Sequence, residues 1–482
     1  MTVLAAACLC AATFSRPLER VSSIDPVRGQ SAYDAHAIGL VFEAPLSIDY
    51  EARPYRLAPG YCELPEIGEN GLRYVFRVRS GKASGDGVER RAEDVVSSLE
   101  RLRDPTSPNG WIVKDVESMS AVDSKTVEIR LRRRVRYFSW LMAMPSCAVV
   151  SSGGEGTGGF RLAKWRKNHE MSFVRRHPSP GGFDEIRYLV IDDVSTQWLM
   201  FLKGEVDLLA NLSRDTLDAI TGPDGRLVPE LAKTGARLYS MPTLQVYYVG
   251  VNMRDPVLGP NRKLRQALNC AFDFPAWNEF YGYRIEKCNG PVPPGVEGRL
   301  ETPFPYDFDL DKARRLVAEA GYPDGIDPKT GRRLVLTLSI GRPDQSSREA
   351  GELMAAFYEK IGIKMELAYM TWDAFMTAVN EGRVQLYRMA WVGDYPDAQN
   401  FLQLFYGPNR SPGSNHSNYE NPEFDAAYES TDYLKCQEIV MEDCPWIFTN
   451  CGRAYTLVGP RVGNYVPSDF PYGNEQFYRA AR

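Results

Sequence analysis

Histidine is scarce in this chain. His36, His169, His177 and His416 are the only four and they are scattered. There is no CxxC pair and no HExxH motif, so neither a structural nor a catalytic metal site is expected, and no cofactor is implied. No GxSxG or Cys-His arrangement supports a nucleophilic enzyme. An excess of basic charge is also missing: 57 Lys and Arg against 62 Asp and Glu leave a net charge of −5. That balance argues against a nucleic-acid partner, whose phosphates need a basic face. Past the first dozen residues, no apolar run approaches the roughly 20 residues of a membrane-spanning helix.

What is present is enough for two or three domains. At 482 residues, with 25% charged and 11% aromatic residues, the chain can bury extensive apolar interior. Residues 3 to 12 are apolar and small, like the late part of an export signal. Cys8, after Ala5, Ala6 and Ala7, stands where a lipid could attach. Residues 1–18 are therefore expected to be a partial leader. Seven of the nine cysteines lie beyond it. In an oxidising compartment Cys444 with Cys451, or Cys270 with Cys288, could bridge, although spacing does not fix connectivity.

The stretch around which the rest is organised is residues 389–402, MAWVGDYPDAQNFL. Before it, Leu334, Leu336, Leu338 and Ile340 alternate as a buried parallel strand would. Ala350, Leu353, Met354, Phe357 and Ile361 then recur on one helical face, with Ser346 and Ser347 as caps and Gly362 as the stop. Residues 363–369 alternate again, and Trp372, Phe375, Met376 and Val379 mark a second helix. A strand from Gln385 to Trp391 follows, which places Asp394 just past a strand's carboxyl end, where open α/β sheets bind ligands. A carboxylate between Trp391 and Tyr395 suits a cation. Gly393, Asp394, Pro396 and Asp397 would equally serve a plain turn.

Elsewhere, a strand at Tyr74 to Val78, a turn at Gly85-Asp86-Gly87, a helix from Ala92 to Arg103 and a strand at Val127 to Leu131 are expected. The basic cluster at Arg130, Arg132, Arg133, Arg134 and Arg136 reads as a solvated strand face and turn. Residues 154–159, GEGTGG, fit the GxGxxG pattern, but Phe160, Leu162 and Trp165 continue as a strand, so the pyrophosphate-binding helix terminus is lacking. The segment reads instead as a crossing between domains. Alternating α and β patterns resume at Ile186 to Ile191, Ser195 to Lys203, Val206 to Leu209, Tyr247 to Val251 and Lys263 to Phe272. Asp309 is expected to cap a helix running to Ala320.

Nine collinear stretches carry a resemblance: SSIDP near Ser23, LRYVFRVRSGKASGDG from Leu72, AEDVVSSLERLRDP from Ala92, GTGGFRLAKW from Gly156, GEVDLL from Gly204, YYVGVNMRDP from Tyr247, LRQALNCAFD from Leu264, DLDKARRLVAEAGYPDG from Asp309, and AWVGDYPDAQNFL. Together they resemble the family 5 extracellular solute-binding proteins, the dipeptide and oligopeptide receptors of ABC importers. The resemblance implies an α/β, periplasmic-binding-protein-like fold of class II type, with two lobes, an extra inserted N-terminal subdomain and a hinge that closes over the ligand. It implies a discontinuous lobe I at 19–41, 157–254 and 455–482, the inserted subdomain at 42–156, and lobe II at 255–454. Two departures stand out: the helical segment at Tyr428 to Leu434 is short, and the strand expected ahead of Ser22 is poorly formed in TFSRPLERV.

On the same resemblance Asp394 pairs with a ligand ammonium, Arg348 holds a ligand carboxylate, and Phe42, Glu43, Tyr247, Asn252, Trp372 and Trp391 are further cleft-wall residues. The implied function is capture of short peptides in a cleft between lobes and delivery to a membrane permease. The implied protein is a monomer, periplasmic or lipid-anchored outside the cytoplasmic membrane. Other solutes bound by the same fold, such as a nickel complex, haem or an oligosaccharide, are the alternative. A hydrolase using Asp394 and Asp397 is a rival from another class.

Overall fold

The computed structural model describes residues 12–81, 89–154, 156–210, 212, 214–222, 225–470 and 472–481. The turn expected at Gly85-Asp86-Gly87 and the lipid-attachment candidate Cys8 lie outside them. The chain forms two compact units, residues 1–241 with 455–482, and residues 242–454. It passes from one to the other within the strand Arg237–Val251 and returns within Trp446–Val458.

In the first unit a four-stranded sheet runs in the order Thr13–Pro17, Glu185–Leu189, Glu170–Arg175, Phe160–Arg166, the first pair parallel and the others antiparallel. TFSRP therefore does form a strand, contrary to expectation. Its polar Ser15 is matched by Asp207, whose carboxylate accepts the Ser15 backbone N–H at 2.8 Å, so the backbone is satisfied although the side-chain alternation is poor. Five of the residues read as leader are thus part of the sheet.

Helix Ala32–Val41 packs on this sheet through Ala37, Leu40 and Val41, against Phe14, Phe160, Phe173 and Ile186. Ser31 caps it, and the Asp34 carboxylate returns to the Ser31 N–H, a reciprocal pair that satisfies two of the orphan donors at a helix start. The glycines at 156 and 158 belong to this packing: a Cβ on Gly158 would stand 2.6 Å from the Leu40 carbonyl oxygen. The GxGxxG spacing thus reflects backbone pressed against a helix end, and Phe160–Arg166 continues as a strand.

A second antiparallel sheet, Glu66–Gly68, Arg73–Arg77, Thr126–Leu131, Val116–Asp123, carries helix Ala92–Glu100. Tyr74, Phe76, Val127 and Ile129 are buried along it. Arg130 pairs with Glu69 and Glu128, and Arg133 with Asp115, at partly exposed positions, as a solvated strand face would.

The second unit is a sheet in the order 446–454, 242–251, Leu386–Val392, Val335–Ile340, Lys364–Tyr369. Leu386–Val392 runs antiparallel to its neighbour on one side and parallel to Val335–Ile340 on the other. Val335–Ile340 and Lys364–Tyr369 are parallel, joined by helix Gln345–Glu359. Leu336, Leu338, Leu386, Ala350, Met354 and Phe357 form one buried cluster with Leu264, Leu268 and Trp277. Burying side chains of this size contributes about 1.5–3 kcal/mol each, which is why continuous apolar runs specify these elements.

The cap of Gln345–Glu359 is Asp344 rather than Ser346 or Ser347, its carboxylate accepting the Ser347 N–H at 2.8 Å. Asp309 caps Leu310–Glu319 as expected. Two helices, Pro422–Glu429 and Tyr433–Asp443, flank and enter the segment that reads as short.

The cysteines pair differently from either expectation. Cys288 is joined to Cys451, while Cys62, Cys147, Cys270, Cys436 and Cys444 are buried thiols. A local bridge between Glu286 and Cys451 brings the 281–288 segment onto the strand Trp446–Val458, a juxtaposition that sequence spacing does not reveal.

Candidate functional site

The carboxyl ends of the parallel strands Val335–Ile340 and Leu386–Val392 lie at one edge of the second unit's sheet. Two loops leave that edge, 341–344 into helix Gln345–Glu359, and 393–398 into helix Gln399–Leu402. The site is built from these loops.

Asn400 organises the second loop. It is fully buried, and its side-chain oxygen accepts both the Trp391 indole N–H at 2.9 Å and the Asp394 backbone N–H at 3.2 Å. Its amide donates to the Asp394 carboxylate at 3.3 Å. One amide therefore fixes the rotamer of Trp391 and the position of Asp394. No pattern in the sequence singles it out, because a polar residue just inside a helix start is commonplace.

Asp394 itself is exposed, yet burial by surrounding protein raises its carboxyl above the ordinary aspartate range, against the Asn400 hydrogen bond that lowers it. Reachable by solvent yet poorly solvated, it is an anion that gains from a cationic partner. Asp397 is buried, and its carboxylate accepts the Gln399 backbone N–H at 2.9 Å.

The first loop borders a cavity of about 630 Å³ in the same unit. Tyr247, Tyr281 and Trp372 supply aromatic walls, and Arg342 and Arg388 the charge. Trp372 is largely exposed and leans on Phe375, ring centroids 5.6 Å apart. Gly341 permits this, since a Cβ there would lie 2.7 Å from the Phe375 ring. Arg388 is half-buried. Its guanidinium donates to the Tyr281 hydroxyl at 2.9 Å and lies 5.5 Å from the centre of the Trp277 ring. Tyr247 is half-buried, with burial raising its phenol pKa.

The remaining residues anticipated from sequence are placed elsewhere. Arg348 is exposed, donates to the Pro343 carbonyl at 3.2 Å, and holds its guanidinium 4.7 Å from the Tyr369 ring centre; it does not line the cavity. Asn252 is buried, and its amide donates to the carbonyls of Gly382 and Val384 at 3.0 and 2.8 Å, so both of its hydrogens are used within the protein. Phe42 and Glu43 belong to the first unit. There they line a smaller cavity of about 230 Å³ with Phe470, Tyr472 and Phe477. Glu43 is neutralised by Arg90 at 2.6 Å. Arg342 and Arg388 were not anticipated. An arginine one residue past an apolar strand end, and another within a strand that leads to an acidic loop, are the signals that could have marked them.

The family model for bacterial extracellular solute-binding proteins, family 5 (middle region), matches residues 56–413, most of the chain. The chain belongs to this family. Among curated relatives, Heme-binding protein A of Haemophilus influenzae is 26% identical, over 89% of this chain and 85% of that protein. The dipeptide-binding protein of Escherichia coli is 23% identical, over 93% and 90%. The solved structure of HbpA2 from Haemophilus parasuis matches with a TM-score of 0.83 at 23% identity, covering 97% of this chain and 99% of that one. The periplasmic-binding-protein type of fold is thereby established for this family 5 protein. Among its described residues no helix is long and apolar enough to cross a membrane.

Proposed function

We propose that this family 5 protein captures short peptides and hands them to the membrane permease of an ABC importer, performing no chemistry on the ligand. It acts as a monomer, free in the periplasm or held outside the cytoplasmic membrane by a lipid. One observation carries the reading: at a single sheet edge, an anionic loop at Asp394 accompanies an aromatic cavity bearing Arg342 and Arg388. A free peptide brings an ammonium and a carboxylate, and this edge offers a group of opposite sign for each. The likeness to a dipeptide-binding protein supports the same choice.

In this reading Asp394 takes the ligand's α-ammonium, and Trp391, Tyr247 and Trp372 form apolar walls. The carboxylate contact first read for Arg348 passes to Arg342 and Arg388, whose planar forks suit a bidentate pair. Asn252 holds the backbone that presents the strand Arg237–Val251.

Calorimetry on the full chain with free and N-acetylated peptides tests this. A charge-assisted hydrogen bond typically contributes about 1.5–3 kcal/mol, so N-acetylation, or Asp394→Ala, is expected to weaken binding about 10- to 100-fold. Since the Asp394 carboxyl is raised, the carboxylate is lost by protonation at a higher pH than for an ordinary aspartate. Affinity for an amine ligand should therefore start to fall at that higher pH on acidification. Equal binding of acetylated and free peptide would count against the reading.

A further inference from the structure

Arg342 and Arg388 line the same cavity from different elements, one just past the strand Val335–Ile340 and the other on Leu386–Val392. Neither forms an ion pair among the described residues. The single side-chain hydrogen bond that either makes there is from the Arg388 guanidinium to the Tyr281 hydroxyl. Two guanidinium groups carry ten N–H donors between them, whereas one carboxylate offers about four lone-pair sites. Asp344 also lines the cavity: one oxygen of its carboxylate accepts the Ser347 N–H as the helix cap, and Ser347, then Arg342 and Arg388, hold its carboxyl below the ordinary aspartate range, so it is a nearby counter-charge that forms no ion pair with either arginine. The positive end of the fifteen-residue helix Gln345–Glu359, opening at Ser346 and Ser347, offsets part of the Asp344 charge.

Even with the Asp344 carboxylate counted, the cavity holds more N–H donors than Asp344 and one peptide carboxylate together accept. Arg388 is held by the Tyr281 hydroxyl and by the face of Trp277.

Resting on the peptide reading above, we infer that the preferred ligand is an acidic peptide, whose second carboxylate occupies the Arg342–Arg388 cavity beside the terminal one. The site selects on ligand charge as well as on the peptide ends. Tyr247, Tyr281 and Trp372 supply aromatic surface beside the two charges.

The test is a calorimetric panel of di- and tripeptides in which each position after the first carries Glu or its neutral isostere Gln. The protein is the full chain, stripped of any bound ligand. The expected result is a Glu member at least about tenfold tighter than its Gln counterpart at one position. In Arg342→Gln or Arg388→Gln that Glu/Gln ratio should collapse towards one. Because it is a ratio on a single protein sample, partial misfolding of a variant does not move it. Gln binding as well as Glu at every position would overturn the inference while leaving peptide capture intact. Absence of binding by every member of the panel would remove the peptide reading, and this inference with it.

Discussion

Glu475→Ala is expected to destabilise the folded protein by about 3–5 kcal/mol, the cost of breaking a buried ion pair from one side. Glu475 is almost fully buried in the first unit, where its carboxylate meets the Arg16 guanidinium at 2.9 Å and His36 Nδ1 at 3.1 Å. Arg16 and His36 are buried too, and Tyr188 closes over the cluster edge-on to His36, ring centroids 6.1 Å apart. Removing the acid leaves a guanidinium in apolar surroundings with no counter-charge, and a guanidinium does not escape by giving up its proton. Glu475→Gln keeps the volume and should cost nearly as much, because charge rather than shape is what is lost. Denaturant unfolding of the two variants reads this directly, and a loss below about 1 kcal/mol in both would show that the cluster is solvated in solution.

The same cluster sets a pH dependence whose sign can be worked out. The Glu475 carboxyl is depressed from 4.5 to about 2: although burial alone would raise it, His36 and Arg16 hold its charge. A depressed acid contributes stability that is complete above its unfolded pKa and lost as pH falls through the folded one. His36 is lowered from 6.5, chiefly by burial, so the unfolded chain takes up its proton first and stability begins to erode below about that pH. Both contributions fall with acid, and the protein should lose stability between pH 6.5 and about 2. In Glu475→Gln the lower part of that slope should flatten.

The second large effect concerns the disulfide. Cys288 and Cys451 are 163 residues apart, and closing a loop of that size removes much conformational freedom from the unfolded chain. Chain-entropy arguments give about 5 kcal/mol for such a loop, and native disulfides typically contribute about 2–4 kcal/mol. The double variant Cys288→Ser, Cys451→Ser should therefore unfold at a distinctly lower denaturant concentration, and a reductant should shift the wild type but not the variant. Tyr281, which accepts the Arg388 hydrogen bond, precedes the bridged segment, so the double variant should also bind acidic peptides less tightly. A wild-type midpoint insensitive to reduction under unfolding conditions would contradict the bridge. A covalent link of this kind fits an oxidising compartment, in keeping with a family of extracellular proteins.

These residues also show which features were legible in advance. The unit 334–369 could be read because buried parallel strands are apolar runs and the helix between them keeps one face, and both patterns survive without tertiary information. The Trp391–Asp394 loop was legible for the same reason, as the end of a readable strand. Side-chain destinations were not. Arg348 stands near the start of a helix, as a ligand contact would, but its guanidinium finds the Tyr369 ring and the Pro343 carbonyl first. The two candidate disulfides failed because strand pairing brings Cys451 to Cys288 and leaves Cys444 at the end of helix Tyr433–Asp443. Thr13–Pro17 was missed because its partners lie far away in the chain: Asp207 accepts the Ser15 backbone N–H, Glu185 accepts the Thr13 hydroxyl, and Glu475 pairs with Arg16.

The most direct measurement of the central claim is mass spectrometry of the ligand released when protein purified from cells in rich medium is denatured. The account predicts short peptides with a free amino terminus, enriched in those that carry an acidic residue. A bound solute with no amine, such as haem or an oligosaccharide, would contradict it.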